Sequence, residues 1–137
     1  MKTINSGSNI EYQEQLRMVF KALERKNDAL TSEQIKLGYQ QRDELISHVL
    51  SGYKNDEKLL SKKQAWENVG LEQRVVKWIY DLMRDKQDLY GYFDHPEDIT
   101  KELKNLIKLS EENEHYEIAE ILNRWYSKLT FNVLTNN

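Results

Sequence analysis

The stretch EENEHYEIAEILNRW, residues 111–125, holds Glu112 and His115 three positions apart. On a helix that spacing puts a carboxylate and an imidazole on one face. Di-iron bundles use the pattern twice and add two carboxylates from other helices. The nearest second pair in this chain is Glu44 with His48, four apart. Zinc wants a closed set of three or four ligands, and two dispersed pairs fall short of that. Glu112 and His115 also fall where a turn between two helices is expected, so no metal ligand and no cofactor are assigned. His95 precedes Pro96, with Asp94 and Asp98 as its near acidic neighbours. A catalytic imidazole needs a nucleophile and an orienting acid around it, and this one reads as a surface residue. The chain has no Gly-rich phosphate loop, no H-E-x-x-H and no G-x-S-x-G. No catalytic residue is assigned, and the expected function is non-enzymatic.

The aromatic residues carry more information. Tyr90, Tyr92 and Phe93 crowd one loop around Gly91. Two readings compete for this cluster: a plug folded over one end of a helical bundle, or a partner-binding patch. Rings with a polar tip suit interfaces. Trp66, Trp78 and Trp125 fall on apolar stripes and are expected in the core. Tyr116 and Trp125 also mark the last helical arm, so the expected partner-binding set is Tyr90, Tyr92, Phe93, Tyr116 and Trp125.

Helices must position these residues. Ser8 followed by Glu11 forms a capping box, and Tyr12, Leu16, Val19 and Leu23 then recur at helical spacing. Thr31 or Ser32 caps a second helix, with Ile35, Tyr39, Ile46 and Val49 on its inner face and Leu45 and Leu50 beside them; Gly52 ends it. A third helix opens at Asn55 or Asp56 and ends at Gly70. Residues 71–86 are apolar over more than half their circumference, which predicts the central helix. Residues 87–98 form the longest loop. Pro96 at the first helical position, with Glu97 and Asp98 behind it, opens the fifth helix. Ile99, Leu103 and Leu106 form its stripe, flanked by Ile107. The sixth starts near His115 and carries Ile118, Leu122, Trp125 and Leu129 as a seam. The expected fold is all-α: one compact bundle of five or six helices ending in an antiparallel hairpin. Residues 1–8 are a flexible arm, 9–86 the helical core, 87–95 the aromatic loop and 96–134 the C-terminal hairpin, with Phe131, Val133 and Leu134 extending the last helix or tucking back.

Bulk properties narrow the function classes. With 137 residues the chain can bury a core unaided. It has no cysteine, which excludes disulfides, thiolate metal sites and Cys nucleophiles. No apolar run approaches the roughly 20 residues that span a bilayer, and no secretory signal opens the sequence, so a cytoplasmic location is expected. The net charge of −3 comes from 20 basic and 23 acidic residues with the signs interspersed. Nucleic-acid binders need a basic face, so nucleic acid is disfavoured as a partner.

Residues 99–129 resemble the UVR motif. That helical hairpin ends the bacterial excision-repair helicase subunit and recurs in its partner nuclease subunit and in some protease adaptors. The pattern is an apolar stripe, a short acidic turn, an aromatic followed by Glu, small residues, and two spaced leucines. Tyr116, Glu117, Ala119, Leu122 and Leu129 stand in the corresponding places, with Leu103 and Leu106 on the first helix. Glu120 replaces a small residue, Asn123-Arg124 replaces Arg-Asp, and Trp125 is bulkier than the pattern has it. The resemblance implies a protein–protein docking device that pairs with another copy of itself. Ile107, Leu109, Ile121 and Tyr126 lie off the main seam and require a neighbour, in this chain or another. The expectation is therefore an adaptor, inhibitor, immunity or phage-type modulator that binds another protein through the aromatic loop and the C-terminal hairpin, with a homodimer through that hairpin as a second arrangement. A nucleic-acid-associated accessory protein and a small metal-dependent helical enzyme are the rival classes.

Overall fold

The computed structural model describes residues 6–54 and 56–135, with side chains described for residues 10–54 and 56–130. Four helices follow one another: α1 (Ser6–Leu50), α2 (Asp56–Asp85), α3 (Pro96–Glu112) and α4 (Tyr116–Thr135). No strand occurs among the described residues; the one sheet-like feature is an isolated bridge between Gln87 and Phe93.

Four helices replace the expected five or six because two anticipated breaks are continuous. At the first, the Thr31 hydroxyl donates to the Asn27 carbonyl at 2.8 Å. A threonine bonded back one turn sits inside a helix and caps nothing. At the second, Gly70 lies mid-helix under α1. A Cβ built there would stand 2.4 Å from Gln34 Nε2, so the missing side chain serves close helix approach rather than termination. The start also moves. α1 already runs at Ser6, which puts Ser8 inside the helix instead of at a capping box with Glu11. The remainder of the expected flexible arm, residues 1–5, lies outside the described residues, as do the side chains of Phe131, Val133 and Leu134.

α1 and α2 form one long antiparallel pair. Its register is marked along its whole length by Tyr80 with Glu24, Gln73 with Asn27, Lys62 with Gln40, Lys58 with Glu44 and His48 with Asp56. The turn between them is a Schellman motif: Tyr53 N–H donates to the His48 carbonyl at 2.8 Å and Gly52 N–H to the Val49 carbonyl at 3.2 Å. Gly52 supplies the left-handed φ of 77° that this motif requires.

α3 and α4 form a second, shorter hairpin laid across one half of the first. Pro96 opens α3 with Glu97 and Asp98 in its first turn, as the sequence predicts. Ile99, Leu103 and Ile107 are buried from α3, and Leu122, Trp125 and Leu129 from α4. Ile107 takes the inward place expected of Leu106, which is only half-buried. They meet Leu16, Val19, Leu23 and Leu30 of α1 and Val75, Val76, Ile79 and Met83 of α2. α2 touches all three other helices, and its buried hydrophobic residues all lie within 71–86, in keeping with the wide apolar arc of that segment, although Trp78 is 41% exposed.

The α3–α4 turn repeats the Schellman geometry without a glycine. His115 N–H donates to the Ser110 carbonyl at 2.8 Å and Glu114 N–H to the Glu111 carbonyl at 3.1 Å, with Glu114 at φ 61°. A non-glycine residue held there costs about 1–2 kcal/mol, offset in part by the greater chain entropy that glycine loses on folding. Glu114→Gly is accordingly expected to raise the unfolding free energy by about 0.5–1 kcal/mol, read as a higher urea midpoint at unchanged slope.

Candidate interaction surfaces

All the buried hydrophobic residues of α1 lie at or before Leu30, and all those of α2 at or after Val75. Beyond them the long pair continues as a two-helix spur, residues 31–50 of α1 and 56–68 of α2. The α3–α4 turn reaches only its root, where Glu114, His115, Tyr116 and Ile118 line a depression of about 380 Å³ with Leu71.

The α1 strand of the spur carries two heptad stripes. One is Leu30, Gln34, Leu37, Gln41, Glu44 and His48, which faces α2. Gln34 covers Gly70, Glu44 Oε1 pairs with Lys58 Nζ at 3.3 Å, and His48 Nε2 meets Asp56 Oδ1 at 3.1 Å. His48 is buried and lies edge-on to Tyr53, ring centres 5.1 Å apart. The other stripe is Ile35, Tyr39, Arg42, Ile46 and Val49, rotated from the first by about 140° at 3.6 residues per turn. Its apolar members are about half exposed: Ile35 58%, Tyr39 56%, Ile46 52% and Val49 49%. Leu45 and Leu50 flank it and are exposed as well. The inner face expected for Ile35, Tyr39, Ile46 and Val49 is thus the outer face. The α1 stripe that faces α2 is mostly polar, with Leu37 half-buried in it and the Trp66 indole of α2 against Gly38 beside it, while the apolar stripe is turned to solvent.

At the far end of the pair, the loop after α2 is closed on itself. Asp88 Oδ1 accepts from Tyr90 N–H at 2.8 Å and from Tyr92 N–H at 2.9 Å. Asp88 N–H donates to the Tyr92 carbonyl at 2.7 Å, and Gln87 Nε2 to the Gly91 carbonyl at 3.0 Å. Gly91 allows the reversal with φ 86°. The reversal drives Phe93 into the core. There its backbone N–H donates to Gln13 Oε1 at 2.9 Å while Gln13 Nε2 donates to its carbonyl at 2.9 Å. Gln13 is itself buried, so this reciprocal pair satisfies both backbone groups of a residue that has left water. Phe93 stands edge-on to Phe20, 6.0 Å between centroids, and Phe20 stacks on Tyr80 at 4.8 Å. Burial, with Glu24 beside it, raises the Tyr80 phenol above its usual range; burial and the Glu97 carboxylate do the same for Tyr12.

The five residues expected to bind a partner separate into two groups. Phe93 is 1% exposed and Trp125 5%, so both are core residues with no surface to present. Tyr90, Tyr92 and Tyr116 are exposed, and Leu89, which the sequence reading passed over, is more exposed than any of them. Tyr92 lies under the Arg17 guanidinium, 5.0 Å from its ring centre. The loop is thus a plug through Phe93 and an open tip through Leu89 and Tyr90. The 17-residue α3 separates that tip from Tyr116, a distance of about 25 Å, so the exposed aromatics do not form one patch. The neighbour that the C-terminal hairpin requires is this chain: Ile107 and Ile121 are buried and Tyr126 half-buried in the common core, which leaves Leu109 outside.

The acid–His pairs find structural roles. Glu112 is the last residue of α3 and His115 lies in the turn, exposed. Glu44 and His48 are committed to Lys58 and Asp56. His95 is exposed, with Nδ1 3.7 Å from Glu97. Among the described residues no three His, Cys, Asp or Glu side chains converge as a metal site would need, and no helix is long and apolar enough to cross a membrane. Compared with known proteins, the chain matches no family model, no curated protein and no solved structure.

Proposed function

We propose that this chain is a non-enzymatic protein-interaction protein, of the adaptor, inhibitor, immunity or modulator kind, and that the spur is its principal docking surface. The supporting observation is the inverted spur. A helix that turns Gln34, Gln41, Glu44 and His48 inward and Ile35, Tyr39, Ile46 and Val49 outward is ordered for a neighbour on its outer side. The open tip at Leu89 and Tyr90 is a second, smaller contact, and Tyr116 at the spur root a third. The hairpin resembling a UVR motif then acts mainly as the clamp that holds the base of the long pair and lets the spur project.

The test compares proteins retained by immobilised wild-type chain with those retained by Ile35→Lys/Ile46→Lys and by Leu89→Ser/Tyr90→Ser. Specific retention should be lost with the first variant and weakened with the second, while helical content and melting temperature stay unchanged because the replaced side chains face outward. The same set of retained proteins on all three baits would refute the reading.

A further inference from the structure

We propose that the groove between α1 and α4 binds a short acidic segment of a partner protein, with its carboxylates at one end and an apolar side chain at the other. This site is separate from the spur and extends the reading of the chain as an interaction protein to a second face. Three observations converge on it.

The first is charge. Arg25 and Lys26 of α1 and Arg124 and Lys128 of α4 line a depression of about 450 Å³, with Glu72 of α2 as the one carboxylate among its described lining residues. Four cations thus converge in a chain whose net charge is −3. Glu72 Oε2 stands 3.8 Å from Lys26 Nζ and 3.6 Å from Arg124 Nη1, so a carboxylate is the group these two cations already hold. Arg25 and Lys128 have no carboxylate partner among the described residues; Lys128 Nζ rests over the Trp125 ring, 4.3 Å from its centre. An incoming carboxylate meets two uncommitted cations beside two shared ones, and a guanidinium offers it paired N–H donors.

The second is shape. The groove continues along α1 into a depression of about 290 Å³ formed by Val19 and Ala22, with Met18 64% exposed at its edge. Ala22 and Lys128 line both parts, so the two are continuous. From Met18 to Ala29 the helix rises about 17 Å, a length covered by about five residues of extended chain or about eleven of helix. An apolar side chain fits the Met18 end and carboxylates the Arg25 end.

The third is where the positive stretch stops. Past Arg124 the surface turns acidic at Glu117 and Glu120, and at the other end Glu11 precedes Gln15 by one helical turn. A continuous polyanion would run into these carboxylates, whereas a segment charged over one short stretch fits between them. Nucleic acid is therefore the poorer occupant. A small dicarboxylate is poorer too, because the four cations are exposed and a small-molecule site encloses most of its ligand.

The experiment pans a phage-displayed library of random peptides of about twelve residues, long enough to span the groove in either conformation, on the immobilised full chain. The recovered pool should be enriched in peptides with Asp and Glu beside an apolar residue. These acidic peptides are labelled with fluorescein and titrated by anisotropy with protein from about 1 µM to about 1 mM. Arg25→Glu and Lys128→Glu should each weaken binding several-fold, and together about tenfold or more. Lys101→Glu, the same charge change at an exposed position of α3, should leave it within about twofold. Met18→Ser should weaken binding, and Glu72→Gln should strengthen it, because Lys26 and Arg124 then lose their internal carboxylate. Helical content should be unchanged throughout. A pool without acidic peptides, acidic peptides indifferent to the Arg25→Glu/Lys128→Glu pair, or weaker binding by Glu72→Gln overturns the proposal. So does a random single-stranded oligonucleotide that binds through Arg25 and Lys128 more tightly than the peptides do. The spur reading stands or falls separately, on Ile35→Lys/Ile46→Lys.

Discussion

Phe93→Ala is expected to lower the unfolding free energy by about 3–5 kcal/mol, the range for deleting a fully buried phenylalanine. Phe93 is the largest fully buried side chain among the described residues and comes from a loop rather than a helix. Its ring fills the end of the core against Phe20. Two features keep the cost near the top of that range. The loop backbone is fixed by Asp88 and by Gln13, so it cannot collapse into the vacated space. The neighbouring Phe20 is already stacked on Tyr80. Mesophilic domains are stable by only about 5–15 kcal/mol, so a urea titration should show a large fall in midpoint. Tyr90→Ala, three residues away but outward, should change stability by less than about 0.5 kcal/mol. Equal effects of the two would mean that the loop does not plug the core.

The second large effect is expected at Gln13. Gln13→Leu keeps the size and apolar stem but removes both bonds to the Phe93 backbone N–H and carbonyl. Each buried backbone group left without a partner costs about 1–3 kcal/mol, and some water entry at the loop would recover part of it, so a loss of about 2–4 kcal/mol is expected. Thermal melts should fall, and the Phe93 amide should lose its hydrogen-exchange protection before the rest of the core does. Unchanged stability in Gln13→Leu would contradict the latch. Gln15, two residues on and donating to the Lys128 carbonyl from a partly exposed position, should tolerate the same change at a fraction of the cost.

How far these features could be read from sequence depends on what each residue must satisfy. Helix content, the Pro96 start, the Gly52 end and the seam of α4 were legible, because each is a local demand with a local signature. The breaks at Thr31 and Gly70 were misread for one reason. Threonine and glycine act as punctuation when the chain must turn, but here Thr31 bonds back to Asn27 within α1 and Gly70 yields space to Gln34 of a helix distant in sequence. The buried Gln13 gave no signal, since its partner is 80 residues away.

The spur is the instructive case. The heptad Ile35, Tyr39, Ile46, Val49 is easily seen, and the assumption that apolar residues face the chain's own core placed it inward. Two interleaved heptads share that helix, and pattern alone does not say which one meets α2. The more polar one does, because Lys58 and Asp56 on α2 supply partners for its Glu44 and His48. With no fully buried hydrophobic side chain among its described residues, the spur lies at the low end of local stability, which suits a segment that firms up when its outer face is covered. Trp125 and Phe93 were expected to serve a partner on the strength of being aromatic; their burial shows that ring content marks both cores and interfaces.

The absence of cysteine from the chain allows the central claim, an apolar stripe turned outward, to be measured directly. Single-cysteine variants at Ile46 and at the fully buried Leu23 can be compared for thiol labelling in dilute native protein. The cysteine in Ile46→Cys is predicted to react at close to the rate of a free thiol, and to become protected as its partner is added. Leu23→Cys should be protected at every dilution. Protection of Ile46→Cys in the dilute monomer to the same degree as Leu23→Cys would contradict the account.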